Sequence, residues 1–121
     1  MPSGSKTSTA ANRAEVTGAD LARMRRPPTH PGEVFEEEYR KPSGISQAEA
    51  ARQMGMSTVR LNQIVGGNRS VTPATAILLS IQTKTDPLMW LHLQNEYDVW
   101  HLIQKSRGKL KHLQAAAAAE R

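Results

Sequence analysis

Cysteine is absent from the 121 residues, so neither a disulfide nor a thiolate metal site can form. No apolar run approaches the roughly 20 residues that a membrane-spanning helix needs. The N-terminal "MPSGSKTSTA" also lacks the apolar segment of a secretory signal. These absences exclude a disulfide scaffold, and they lead us to expect a cytoplasmic protein that does not enter a membrane.

Positive charge is scarce in the middle of the chain. Residues 1–26 carry five basic and two acidic side chains, residues 27–105 carry seven and eight, and residues 106–121 carry four and one. The net charge of +5 is thus divided as +3, −1 and +3. A basic balance favours nucleic acid as a partner, but here the charge lies at the two ends. A strongly basic folded face is therefore not predicted.

Strand-like alternation of apolar and polar residues is missing as well, and helical periodicity extends from Pro31 to about Ile103. Residues 1–26, rich in Ser, Thr, Ala and Gly, are predicted to form a flexible basic arm, with at most a short helix at "GADLARMRR". Residues 106–121 are predicted to form a basic, alanine-rich tail. We therefore expect an all-α fold in which residues 27–105 form one domain of five helices.

Capping signals mark the ends of these helices. Glu49, three residues after Ser46, completes a capping box for the second helix, and Gly55 suits the left-handed residue that ends it. The residues predicted to begin the five helices are Pro31, Ser46, Ser57, Thr72 with Pro73, and Asp86 with Pro87.

The fourth and fifth helices hold much of the predicted core. The nearly unbroken run "AILLSI" at residues 76–81 predicts that the fourth helix is buried on most sides. The fifth helix has an apolar stripe at spacings of three and four: Met89, Trp90, Leu93, Tyr97, Trp100 and Ile103.

The second and third helices are joined by only "GMS", which allows either an ordinary helical hairpin or a helix-turn-helix. Ala51 supplies the small residue that a tight crossing requires, and Gly55, four residues later, tolerates positive φ. Leu61 and Ile64 recur at core spacing on the next helix. This combination favours the helix-turn-helix.

The third helix, projected at roughly 100° per residue, separates into two sides. Ser57, Leu61 and Ile64 fall on the side expected to face the core. Asn and Gln can form paired hydrogen bonds with adenine, and Val and the Thr methyl suit the thymine methyl. The other side is therefore predicted to read base edges, through Thr58, Val59, Asn62 and Gln63.

Contacts to the DNA backbone are expected from polar side chains that flank the base-reading side. Gln47 begins the second helix, and the loop after the third helix carries Asn68 and Arg69. The complete predicted set of backbone-contacting residues is Gln47, Ser57, Arg60, Asn68 and Arg69.

Three segments resemble the HigA-type antitoxins of the XRE (phage-repressor-like) helix-turn-helix family: "HPGEVFEEEY", "SQAEAARQMGMS" and "WLHLQNEYDVW". The resemblance covers about residues 27–105. It implies a homodimer, with its fifth helix in the dimer contact, that binds a palindromic operator of double-stranded DNA in its own promoter and represses its operon. It further implies binding and neutralisation of a HigB-type toxin, a ribosome-dependent mRNA endonuclease. Relatives often carry arginine at position 63, so the operator sequence is not transferable.

Other chemistries receive less support. The four histidines lack the three-to-five spacing of metal ligands, so neither a metal nor another cofactor is expected. Glu36, Glu37 and Glu38 more simply form a solvated face than a general-base cluster, although they could meet a basic partner. No enzyme motif is present. The remaining alternatives are a stand-alone transcriptional regulator without a toxin partner and a protein-interaction module that no longer reads DNA.

Overall fold

The computed structural model describes residues 16–107, 111–112, 115–116 and 118. Its contacts divide the chain into two compact units, one formed by residues 1–28 with 95–121 and the other by residues 29–94. Helices account for all the regular structure of the described residues, so the all-α prediction is confirmed.

The first unit contains the short helix that the sequence allowed within "GADLARMRR". This helix, α1 (Gly18–Arg23), begins with a reciprocal capping box between Thr17 and Asp20. Asp20 also forms an ion pair with Arg23, one turn further along the helix. The short helix that the sequence allowed is therefore present, and a capping box compensates for its weak apolar content. The remaining part of the predicted arm, residues 1–15, and much of the tail lie outside the described residues.

The second unit begins with a helix that contains a π-helical turn. Helix α2 consists of an α-helical Pro31–Phe35, a π-helical turn Glu36–Arg40 and an α-helical Lys41–Ser43, and it ends at Gly44 with φ of 78°. It is followed by α3 (Gln47–Met54), α4 (Thr58–Val65), α5 (Pro73–Thr83) and α6 (Pro87–Lys105). These helices, α2 to α6, are the five that were predicted. The last of them continues into the first unit.

The predicted N-caps are present, but the capping box predicted for Ser46 and Glu49 is only half formed, because the Glu49 carboxylate accepts from Arg52 and Gln53 instead. Ser46, Ser57 and Thr72 each accept a hydrogen bond from the backbone N–H three residues later. Asp86 accepts from the N–H of Leu88 at 2.8 Å. Each cap satisfies a donor that the first helical turn leaves free, so the helix boundaries follow directly from these side chains.

The core of the second unit is built from all five of its helices. Trp90 is fully buried against it, donates through Nε1 to Thr85 Oγ1 at 2.7 Å, and packs against Tyr39 with ring centroids 5.8 Å apart. The buried apolar residues of this core are Val34, Phe35, Ala50, Ala51, Met54, Leu61, Ile64, Val71, Ala76, Leu79, Trp90 and Leu93.

Helix α5 is less buried than its apolar run predicts. Ala76 and Leu79 are fully buried, but Ile77 is 51% exposed and Ile81 is 71% exposed. The prediction of burial on most sides is therefore wrong. Ile77 and Ile81 lie one turn apart on the side of the helix away from the core, so they form an exposed apolar pair.

Glu36 departs from the predicted solvated face. Its carboxylate is buried and accepts two hydrogen bonds from Arg40, one from Nη2 at 2.6 Å, and a third from Gln47 Nε2 at 3.0 Å. Arg40 also donates to the carbonyl of Ile45 at 2.7 Å. Only Glu37 and Glu38 remain exposed, because the turn directs Glu36 inward where a bidentate arginine compensates its charge.

Candidate nucleic-acid interface

Helices α3 and α4 form a helix-turn-helix whose turn depends on Gly55. The glycine has φ of 71°, and its N–H donates to the carbonyl of Arg52 at 3.1 Å. The N–H of Met56 donates to the carbonyl of Ala51 at 3.0 Å, which closes the turn. Ala51 is buried between the helices. The predicted small residue and the predicted positive-φ residue are therefore both where a helix-turn-helix requires them.

The inner side of α4 is formed by Leu61 and Ile64, both fully buried. Ser57 was also predicted on this side, but it is exposed and acts as the N-cap, accepting from the N–H of Arg60 at 3.1 Å. The projection was wrong for this residue because an N-cap lies outside the helical turn and does not follow its periodicity.

The outer side of α4 carries the predicted base-reading residues. Thr58, Val59 and Asn62 are exposed, and Gln63 is half-buried. Val59 is 66% exposed and supplies an apolar group on an otherwise polar surface. The helix contains no acidic residue, so nothing on it repels a phosphate backbone.

Arg60 lies beside α5. Its Nη2 donates to Thr75 Oγ1 at 2.9 Å, and its buried Nε has no hydrogen-bond partner among the described residues. Thr75 belongs to the first turn of α5, so the guanidinium packs against a neighbouring helix instead of extending over the outer side of α4.

Two of the other predicted backbone-contacting residues also have partners within the protein. Gln47 donates to Glu36, and Arg69 donates from Nε to Gln63 Oε1 at 2.9 Å. Asn68 and Arg69 are both exposed. The structure therefore brings Gln63 and Arg69 together, and it places Gln47 next to the buried ion pair of α2.

Sequence reasoning did not identify Gly32 as the residue of α2 that approaches α4. Gly32 approaches the end of α4 so closely that a Cβ on it would lie 1.8 Å from the carbonyl oxygen of Ile64. His30 is buried and is the N-cap of α2, accepting through Nδ1 from the N–H of Gly32 at 2.9 Å. Both residues lie in the segment "HPGE", which is where the sequence could have revealed them. Gly32 allows the close approach of α2 to α4, and His30 caps the helix that carries it.

Two carboxylates near the helix-turn-helix have lowered pKa values. Hydrogen bonds from Arg40, more than any other cause, hold the pKa of the Glu36 carboxyl below its ordinary value. At the surface, the Arg52 side chain lowers the pKa of Glu49 to about 2. Both groups are therefore ionised at neutral pH and keep their arginines paired.

Over the described part of the chain, no group of three His, Asp or Glu side chains is arranged to hold a metal ion. No helix in that part is long and apolar enough to cross a membrane.

Comparison with known proteins agrees with this geometry. A helix-turn-helix family model (HTH_3) matches residues 37–89. Virulence-associated protein I of Dichelobacter nodosus is 40% identical over 73 residues, covering 60% of this chain and 68% of that protein. The solved structure of antitoxin GraA is 34% identical with a TM-score of 0.67, covering 72% of this chain and 94% of that one. The Pseudomonas aeruginosa antitoxin HigA, solved with the higBA promoter, is 30% identical with a TM-score of 0.66, covering 70% and 92%.

Proposed function

This chain belongs to the helix-turn-helix family, among the HigA-type antitoxins, and on that basis we propose that it binds a palindromic operator in its own promoter, represses its operon and neutralises a HigB-type toxin. Such a protein acts where the DNA is, in the cytoplasm, and carries out no reaction. The observation that supports DNA reading most directly is the exposed, uncharged outer side of α4 on a helix-turn-helix.

The chemistry of that side suits A·T-containing sites. Asn62 can accept from adenine N6 and donate to N7, while Val59 and the Thr58 methyl suit the thymine methyl. Thr58 lies at the N-terminal end of α4, the end that enters the major groove in this class of motif. Contacts to phosphates come in this proposal from the predicted set around α4, of which Ser57, Asn68 and Arg69 are exposed.

Removing the amides of the outer side should weaken operator binding. We expect Asn62→Ala and Gln63→Ala each to cost about 1–3 kcal/mol and to relax the preference at one base pair. The assay is a mobility shift on the protein's own promoter. The control is Gln53→Ala, which removes an amide from α3 that bonds with Glu49. Unchanged affinity and sequence preference in both α4 variants would show that the protein does not read bases with this helix.

A palindromic operator requires two copies of the helix-turn-helix, and we propose that the chain is a homodimer. We propose that Ile77 and Ile81 of α5 and Leu88 in the first turn of α6, all exposed apolar side chains, form the contact with the second copy. Leu88 belongs to the fifth predicted helix, which the resemblance places in the dimer contact.

A charge on this surface should dissociate the dimer. Ile81→Glu removes an apolar side chain from both halves of a symmetric contact, so we expect a loss of about 2 kcal/mol, or about 30-fold in the dimer Kd. Sedimentation equilibrium measures it. Ala48→Glu adds the same charge at an exposed position on α3 and should leave the Kd unchanged. Equal Kd values for Ile81→Glu and the unaltered protein would place the dimer contact elsewhere.

The toxin is the less directly supported half of the proposal. Glu33, Glu37 and Glu38 are exposed on α2 and could meet a basic toxin that acts on ribosome-bound mRNA. Co-expression with the product of the adjacent gene should yield a stable complex. We expect Glu38→Lys to weaken it about tenfold and Glu38→Gln to weaken it less, since only the former adds repulsion.

The two assays together separate the alternatives. Operator binding without a toxin complex would identify a stand-alone regulator. A toxin complex without operator binding would identify a protein-interaction module.

A further inference from the structure

The loop after α4 is fixed to Gln63 by its backbone. Gly67 has φ of 78°, its N–H donates to the carbonyl of Ile64 at 3.1 Å, and the N–H of Asn68 donates to the carbonyl of Gln63 at 2.8 Å. This pair of bonds is a Schellman motif, which ends a helix and turns the chain back over its last turn. The next residue, Arg69, is thereby brought back beside Gln63.

The side chains of these two residues are joined as well. Arg69 Nε donates to Gln63 Oε1 at 2.9 Å. Because a guanidinium can only donate, the atom of the Gln63 amide that faces it must be the oxygen. The planar amide then holds its NH₂ group on the opposite side of Cδ, where it is the free end of the side chain.

We propose that Arg69 is a positioning residue that determines which base Gln63 prefers. This inference rests on the proposed function. A free glutamine reads adenine through both ends of its amide, accepting from N6 and donating to N7. Arg69 occupies one of the two lone pairs of Oε1 and leaves the NH₂ group as the unbound end of the amide. Gln63 therefore meets the base mainly as a donor, and the positive charge beside it favours a base edge rich in acceptors. In the major groove that edge is guanine, with O6 and N7.

The inference changes the expectation for position 63. Glutamine alone suggests adenine, whereas the Gln63–Arg69 pair predicts guanine, the base that an arginine would select. Asn62, which lies on the exposed side of the same helix, keeps its preference for adenine.

The experiment uses the full chain and duplexes derived by selection from a randomised library. The position read by Gln63 is the one whose base preference Gln63→Ala abolishes. Affinities are then measured for four duplexes that differ only at that base pair, with Arg69→Ala, Arg69→Met and the double variant Gln63→Ala/Arg69→Ala. Arg52→Ala removes an exposed arginine that pairs with Glu49 on α3, and it serves as the charge-matched control.

We expect the unaltered protein to prefer guanine to adenine by roughly tenfold at that position. Arg69→Ala and Arg69→Met should lower this ratio to about one or reverse it, because the freed amide can again pair with adenine. In the Gln63→Ala background, loss of Arg69 should no longer change the ratio, and Arg52→Ala should leave it intact.

An equal loss of affinity for all four duplexes in Arg69→Ala, with the ratio preserved, would overturn the inference and identify Arg69 as a phosphate contact. A preference for adenine in the unaltered protein would overturn it as well. If the unaltered protein selects no sequence, or Gln63→Ala abolishes no preference, the base-reading part of the proposed function fails too.

Discussion

Replacing Gly32 with alanine should displace α4. The new Cβ would lie 1.8 Å from the carbonyl oxygen of Ile64 and 3.0 Å from Val65 Cα, and both atoms belong to the backbone of α4. A flexible side chain could move aside, but a helix backbone can yield only if α2 and α4 separate. We therefore expect a loss of about 3 kcal/mol or more in the free energy of unfolding, at the upper end for overpacking. Urea denaturation followed by circular dichroism measures it.

Operator binding should fall in the same variant by at least tenfold, because the displaced helix no longer presents its outer side to the groove. Gly18→Ala is the matched control, since a Cβ there meets nothing within 4 Å and alanine favours the α1 helix. The close approach of α2 to α4 would be refuted by wild-type stability and wild-type operator affinity in Gly32→Ala.

Removing the Glu36 carboxylate should have an effect of similar size. Glu36→Ala leaves the guanidinium of Arg40 buried without its counter-charge, and we expect this to cost about 3–5 kcal/mol of unfolding free energy. The side chains of Arg40 and Glu36 are only 15% and 10% exposed, which is why solvent cannot replace the lost partner.

Glu37→Ala is the matched control for this change. Glu37 pairs with Lys41 at the same helical spacing, one residue further along, but these side chains are 55% and 54% exposed. We expect a cost below about 1 kcal/mol, because water screens the pair. Equal losses in the two variants would mean that burial does not distinguish the two ion pairs.

The same carboxylate should make stability depend on pH. Because Arg40 lowers the pKa of folded Glu36 below its ordinary 4.5, the contribution of the charged form is complete above that value. It is lost as the pH falls from about 4.5 through the lowered pKa. Urea denaturation between pH 7 and pH 3 should therefore show a steeper decline for the unaltered protein than for Glu36→Gln. If the free energy of unfolding falls equally with pH in both proteins, the pH dependence does not come from Glu36.

Much of the secondary structure could be predicted because its signals are local. Ser46, Ser57 and Thr72 cap the helices that follow them, and Gly55 adopts the positive φ expected of it. Capping depends on residues within one turn, so the sequence reveals it without knowledge of the fold. A short helix was allowed at the place of α1, but its Thr17–Asp20 capping box was not recognised.

Burial could be predicted only in part, because periodicity shows which residues share a face and not what covers it. Leu61 and Ile64 were correctly placed in the core, since the helix-turn-helix leaves only one side for it. Ile77 and Ile81 were expected to be buried with the rest of their apolar run, yet no helix of the second unit covers them. Glu36 was expected in solvent, yet Arg40 and Gln47 hold it inside.

The sequence by itself determined the helices, the helix-turn-helix and the composition of the outer side of α4. These depend on caps, on Gly55 and on helical spacing, all of which act between near neighbours. The tertiary structure alone decided which residues pack against that helix and which side chains bond with its outer side. The contact of Gly32 with Ile64 and the packing of Arg60 on Thr75 join residues far apart in the chain, and the bond from Arg69 to Gln63 requires the loop to fold back over the helix. Such pairings depend on how backbones approach one another in space, which no local pattern encodes.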